Sequence, residues 1–182
     1  MLKIGLTGNI ASGKSEVEKA FMTLGYEVCD LDEVCHNFLE NNEEIKNQVL
    51  AKFNTLNRAE ISSIVFLNPQ KRKILEQIMF PKLKEYILKL FEKPYNTIII
   101  SGALLYEANF ASLFDRMIWI DAPYDVRLKR LMKRNGYTVE QAKIRLDAQS
   151  QNHKAKADYI IQNTGSIYEL CQKVARIVNS FG

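Results

Sequence analysis

Residues 8 to 15, Gly-Asn-Ile-Ala-Ser-Gly-Lys-Ser, match the spacing GxxxxGK[ST] at every fixed position. The chemistry that needs this spacing is the binding of a nucleoside triphosphate. Its phosphates need several donors converging on a small concave surface. Backbone N–H groups supply them where no Cβ blocks the approach, hence Gly8 and Gly13. Lys14 suits the β and γ phosphates as a point charge, and the Ser15 hydroxyl suits a Mg²⁺ shell.

Such a loop works only between a strand and a helix, because the free N–H groups and the positive dipole end of the helix must face the anion. The flanking residues predict that junction. Leu2 to Thr7 read as a short strand, while Val17, Ala20, Phe21 and Leu24 form a helical stripe that Gly25 stops. Tyr26 to Cys29 form a second strand ending at Asp30-Leu31-Asp32. In an open parallel sheet the carboxyl ends of the strands line the ligand crevice, so this acid pair is expected on the same rim as the loop. Asp32 also suits a cap for the next helix, with its stripe of Val34, Cys35, Phe38 and Leu39; His36 lies one turn further on.

Residues 43 to 91 are helical in pattern, over 43–53, 58–67 and 69–91, with helix starts at Asn57/Glu60 and Asn68-Pro69. Pro81 is expected to kink or restart the last of these. Thr97 to Ser101 is an apolar, β-branched run suited to a central parallel strand, and Met117 to Asp121 is a fourth strand. The following helix carries Arg127, Arg130 and Arg134 away from its apolar face. Thr138 and Gln141 make a capping box for a short helix carrying Arg145 and running through Gln149. Tyr159 to Ile161 is a fifth strand, and Ser166 with Glu169 caps an amphipathic last helix.

These elements predict an α/β, three-layer P-loop NTPase fold with a five-stranded parallel sheet ordered 2-3-1-4-5. It is expected as a single domain: core 1–42, 92–134 and 157–182, a helical acceptor-side insertion 43–91, and a small polar lid 135–156 with little apolar surface to bury.

With 182 residues and 47% hydrophobic content, the chain can bury a full core. It has no apolar run long enough to span a membrane, and the first strand begins at Leu2, so a cytoplasmic protein is expected. Cys29, Cys35 and Cys171 lack zinc or CxxC spacing and read as reduced, packed thiols. The net charge of +4 is unevenly spread: residues 127 to 156 hold nine Lys and Arg against Glu140 and Asp147. That concentration suits a polyanionic ligand. The basic residues lack the interleaved aromatics of a nucleic-acid stacking platform, and no NKxD guanine motif is present.

The ordered set GLTGNIASGKS, VCDLDEVCH, NRAEISSIVF, LLYEANF, FDRMIWIDAP, RLKRLMKRNGYTVEQAKIRLDAQ and ADYIIQNTGS resembles the dephospho-CoA kinase family over nearly the whole chain. The resemblance implies an enzyme that transfers the γ-phosphoryl group of ATP, with Mg²⁺, to the ribose 3′-hydroxyl of 3′-dephospho-CoA, the last step of coenzyme A biosynthesis. The alternatives are a nucleoside or nucleoside monophosphate kinase and, further off, a nucleotide-dependent switch. By similarity, Ala11, Ser12, Gly13, Lys14, Ser15 and Glu16, with Arg145 and Asn163, bind ATP. Asp32 orients the acceptor hydroxyl and takes its proton, Lys14 and Arg134 act on the transferring phosphate, and Ser15 meets the metal. Thr7, Asp30, His36, Arg58 and Glu107 shape the acceptor site. Asp30 and Asp32 are not separable as base on physical grounds alone. A monomer or weak homo-oligomer is expected, with no nucleic acid or membrane partner. The chain departs from the family pattern at Glu16 (usually Thr), Phe80 (His), Ala103 (Pro) and Arg127 (Gln), and from 149 to 158 it is shorter than usual.

Overall fold

The structure, a computed structural model, describes residues 1–148 and 153–181. Its sheet has five strands in the order β2-β3-β1-β4-β5: β1 Leu2–Gly8, β2 Glu27–Asp30, β3 Thr97–Ser101, β4 Arg116–Asp121 and β5 Tyr159–Gln162. Parallel registers join β1 to β3 (Ile4 opposite Ile99), β1 to β4 (Leu6 opposite Ile118) and β4 to β5 (Ile120 opposite Ile161). The expected fold class and strand order are therefore observed. The central strands are apolar on both faces because helices cover both. Ile4, Leu6, Ile118 and Ile120 are fully buried with Val17 and Phe21 of α1 (Lys14–Thr23) and Val174 of α8 (Ile167–Val178).

The chain divides into two compact units, Met1–Cys29 with Pro94–Gly182, and Asp30–Lys93. The second unit is helical: α2 Leu31–Asn41, α3 Glu43–Phe53, α4 Arg58–Leu67 and α5 Pro69–Phe91. It begins at Asp30, not at residue 43, because α2 packs on α3 and α5, with Phe38 edge-on to Tyr86 at 6.0 Å.

Short-range signals were reliable. Asn57 and Asn68 cap α4 and α5 through their side chains, and both capping boxes form, Thr138/Gln141 on α7 (Val139–Asp147) and Ser166/Glu169 on α8. Three expectations need correction. Leu24 does not complete the buried stripe of α1; it is the C-cap residue and 45% exposed. Helix α5 continues through Pro81 as one element, since Met79 and Leu83 are buried on either side and hold the segment across the missing N–H. And α7 does have an apolar face: Ala142 and Leu146 are fully buried against Leu131 of α6 (Tyr124–Asn135), with Ile10 and Ala11 of the phosphate loop beside them. Residues 149–152, the part of the expected lid that follows, lie outside the described residues.

Candidate active site

The loop Asn9–Gly13 leaves β1 and enters α1 through Gly13, whose φ of 95° lies in the left-handed region. A side chain there would be strained, and its Cβ would also fall 1.9 Å from Asn163 Nδ2. At Gly8 a Cβ would meet the Ile120 carbonyl at 2.5 Å and Ser12 Oγ at 2.8 Å. Both glycines are required by close approach of the surrounding chain. Ala11 holds φ 61° without being glycine, which adds local strain to the turn.

Two distant residues tie this loop down. Asn163 Nδ2 donates to the Ser12 carbonyl at 2.8 Å, and Arg130 donates to the same carbonyl at 3.1 Å and to the Asn163 carbonyl at 3.1 Å. Asn163 thus has a place in the loop's framework, reached from the end of β5. Thr7 is buried in β1, and Ser12 is buried with its hydroxyl unpartnered among the described residues. Ser15 and Glu16 are exposed in the first turn of α1. Lys14 Nζ lies 2.6 Å from Glu18 Oε1 and 3.0 Å from Ser101 Oγ at the end of β3.

The row of arginines on α6 divides into three roles. Arg127 is 5% exposed, donates from Nε to the Ala122 carbonyl at 3.2 Å and lies over Tyr124; burial lowers its pKa. Arg130 braces the loop. Arg134 is exposed and donates to Asn135 Oδ1 at 3.0 Å. Arg145 stacks over Tyr137 at 4.1 Å and donates to the Gln141 carbonyl. Glu107, in the turn after β3, is 3.7 Å from His153 Nε2, whose ring stacks on Tyr106 at 4.8 Å.

The helical unit carries Asp30, Asp32, His36 and Arg58. The cap of α2 is Asp30, not Asp32: its Oδ1 accepts from the Asp32 N–H at 2.9 Å. Asp32 occupies the exposed first turn. His36 Nε2 lies 3.1 Å from Glu40 Oε1. Asp30, Asp32 and Arg58 share one electrostatic neighbourhood around Cys35. Burial above all, then the charges of Asp32 and Asp30, push its thiol up to about 12 against the opposing pull of Arg58. At pH 8 only about one Cys35 in ten thousand is thiolate, so alkylation there should be very slow by peptide-mapped iodoacetamide labelling. Rapid labelling of Cys35 would refute the burial that chiefly holds the thiol protonated.

Sequence reasoning missed Glu18, Ser101 and Arg130 as individual site residues. Glu18 was recoverable from its i+4 spacing to Lys14, whereas Ser101 and Arg130 carry no local signal.

A model of the dephospho-CoA kinase family matches residues 2–169. This chain belongs to that family. It is 32% identical to the dephospho-CoA kinase of Geobacillus kaustophilus, over 99% of this chain and 96% of that protein. It is 33% identical to the Listeria monocytogenes serovar 1/2a dephospho-CoA kinase, over 98% and 96%. Among solved structures, the family's Campylobacter jejuni dephospho-CoA kinase aligns with a TM-score of 0.67 at 28% identity, over 98% of this chain and 96% of that one. TT1252 from Thermus thermophilus aligns at 0.83 and 28%, with the same coverages. Shikimate kinase from Aquifex aeolicus, at 0.56 and 21% over 98% and 97%, shares the fold alone.

Proposed function

We propose that this chain transfers the γ-phosphoryl group of ATP to the ribose 3′-hydroxyl of 3′-dephospho-CoA, giving coenzyme A and ADP. The observation that carries the reading is the family match along residues 2–169, which spans both the phosphate loop and the acid pair of α2. Phosphoryl transfer leaves little covalent chemistry for a protein to do, so catalysis here is alignment and neutralisation of spread negative charge.

In this reading the loop Ala11–Gly13 wraps the phosphates, and Lys14 neutralises the β and γ oxygens. Asp32 holds the acceptor hydroxyl and takes its proton, with Thr7, Asp30, His36, Arg58 and Glu107 shaping the acceptor site. Arg134 and Arg145 swing onto the transferring phosphate from the lid side, leaving the Asn135 and Tyr137 contacts they make here. The chemistry of the donors fits Mg²⁺: Ser15 offers a hard hydroxyl oxygen in the first turn of α1, and no cluster of three His, Cys, Asp or Glu among the described residues could cage a metal alone. Ser15 would be the chain's ligand to the ion, which would supply neutralisation of phosphate charge. No helix among the described residues is long and apolar enough to cross a membrane. A cytoplasmic monomer or weak homo-oligomer, with the two nucleotides as its partners and no nucleic acid, completes the reading.

The test is ADP release by purified protein with a panel of acceptors. Dephospho-CoA should exceed adenosine and AMP in kcat/KM by at least about a hundredfold, since a site built for the longer acceptor gains its binding energy at the transition state. A preference for adenosine or AMP would overturn the assignment.

A further inference from the structure

The inward stripe of α1 is interrupted by an acid. Val17, Ala20 and Phe21 are buried hydrophobics, yet Glu18 between them is only 6% exposed. A carboxylate so deeply set is costly unless it is paired and hydrogen-bonded, and nothing in the surrounding packing calls for one. Its partners are the phosphate-binding lysine and a strand end. Oε1 of Glu18 meets Lys14 Nζ at 2.6 Å and accepts a close hydrogen bond from the Ser101 hydroxyl. Ser101 Oγ in turn accepts from Lys14 at 3.0 Å. The three side chains form a closed triangle within one unit, two of them one helical turn apart and the third delivered by β3.

We propose that Glu18 is a positioning residue acting through Lys14: it holds the ammonium as an internal ion pair that an entering nucleotide must displace. The proposal deepens the reading that Lys14 meets the β and γ phosphates. Without nucleotide, Glu18 cancels much of the lysine's charge, and the phosphates then compete with this carboxylate for the same ammonium. Ser101 works in the opposite direction. Its hydroxyl remains as a donor to Glu18 once Lys14 has moved, lowering the cost of leaving the carboxylate buried. Glu18 therefore weakens nucleotide binding and Ser101 strengthens it, although the two touch each other.

Calorimetric titration with MgADP and with a non-hydrolysable MgATP analogue tests this on the wild type, Glu18→Gln, Ser101→Ala and the double variant. Glu18→Gln should tighten binding about tenfold, the low end of the coupling seen for close charge pairs. Ser101→Ala should weaken it about threefold, and should change nothing in the Glu18→Gln background. A merely structural role for Glu18 would loosen the loop and weaken binding, so the sign decides. Unchanged or weaker binding by Glu18→Gln overturns the proposal. If that variant fails to fold, Glu18→Met, which extends the apolar stripe, carries the same expectation. The readout needs no acceptor, so a wild-type chain that binds nucleotide but ignores dephospho-CoA sinks only the substrate assignment. One that binds neither nucleotide overturns the nucleotide reading and this proposal together.

Discussion

Lys14→Ala should cut ADP formation by about a hundred- to a thousandfold, the usual cost of removing one preorganised charge from a transition state. It should also destabilise the protein. Lys14 is the ion-pair partner of Glu18, and their side chains are 13% and 8% exposed. Removing the lysine strands a buried carboxylate, at a cost of about 3 kcal/mol in urea unfolding. The two effects separate in the double variant: Lys14→Ala with Glu18→Gln should recover most of the lost stability and none of the turnover. If Lys14→Ala keeps turnover within tenfold of the wild type, the lysine is not acting on the transferring phosphate. If the double variant stays as unstable as the single, the buried pair is not what its loss exposes.

Asp32→Asn is the second large effect, and its pattern should differ. General-base assistance contributes about a hundredfold or more, so kcat should fall by that order while the affinity for MgATP stays within about twofold. The neighbouring residue is a control on this interpretation. Asp30 caps α2 through the Asp32 N–H, so Asp30→Ala should lose about 1 kcal/mol of stability, while Asp30→Asn keeps the cap and removes only the charge. Equal losses of turnover and ATP affinity in Asp32→Asn would assign it to the metal or to the framework instead of to the acceptor hydroxyl.

The contrast between Asp30 and Asp32 shows where sequence reasoning reached its limit. Their presence at a strand end was legible, because β2 and the stripe of α2 are written in adjacent residues. Which residue caps the helix was not: the local pattern pointed to Asp32, whereas the backbone places Asp30 at the N-cap, its Oδ1 accepting from the Asp32 N–H. Pro81 is a similar case: a local rule predicts a kink or a restart, and the helix does not restart, with Met79 and Leu83 buried on either side. The polar composition of residues 135–156 hid the fact that Ala142 and Leu146 are buried against Leu131, with Leu128, Met132, Tyr137 and the loop residues Ile10 and Ala11 packed around them.

What the sequence by itself determined is the set of features whose partners lie within one turn or one strand. These are the phosphate loop with its glycines, the caps of α4, α5, α7 and α8, and the apolar strands, each joined to the next by a right-handed crossover. Tertiary structure decided how the loop is held and what its lysine touches. Ser101 lies 87 residues from Lys14, and Arg130 lies 118 residues from the Ser12 carbonyl it braces. No periodicity or spacing encodes such pairs. They exist because β3, α6 and β5 converge on the carboxyl end of β1, where buried polar groups must find partners from whichever segments the sheet brings there.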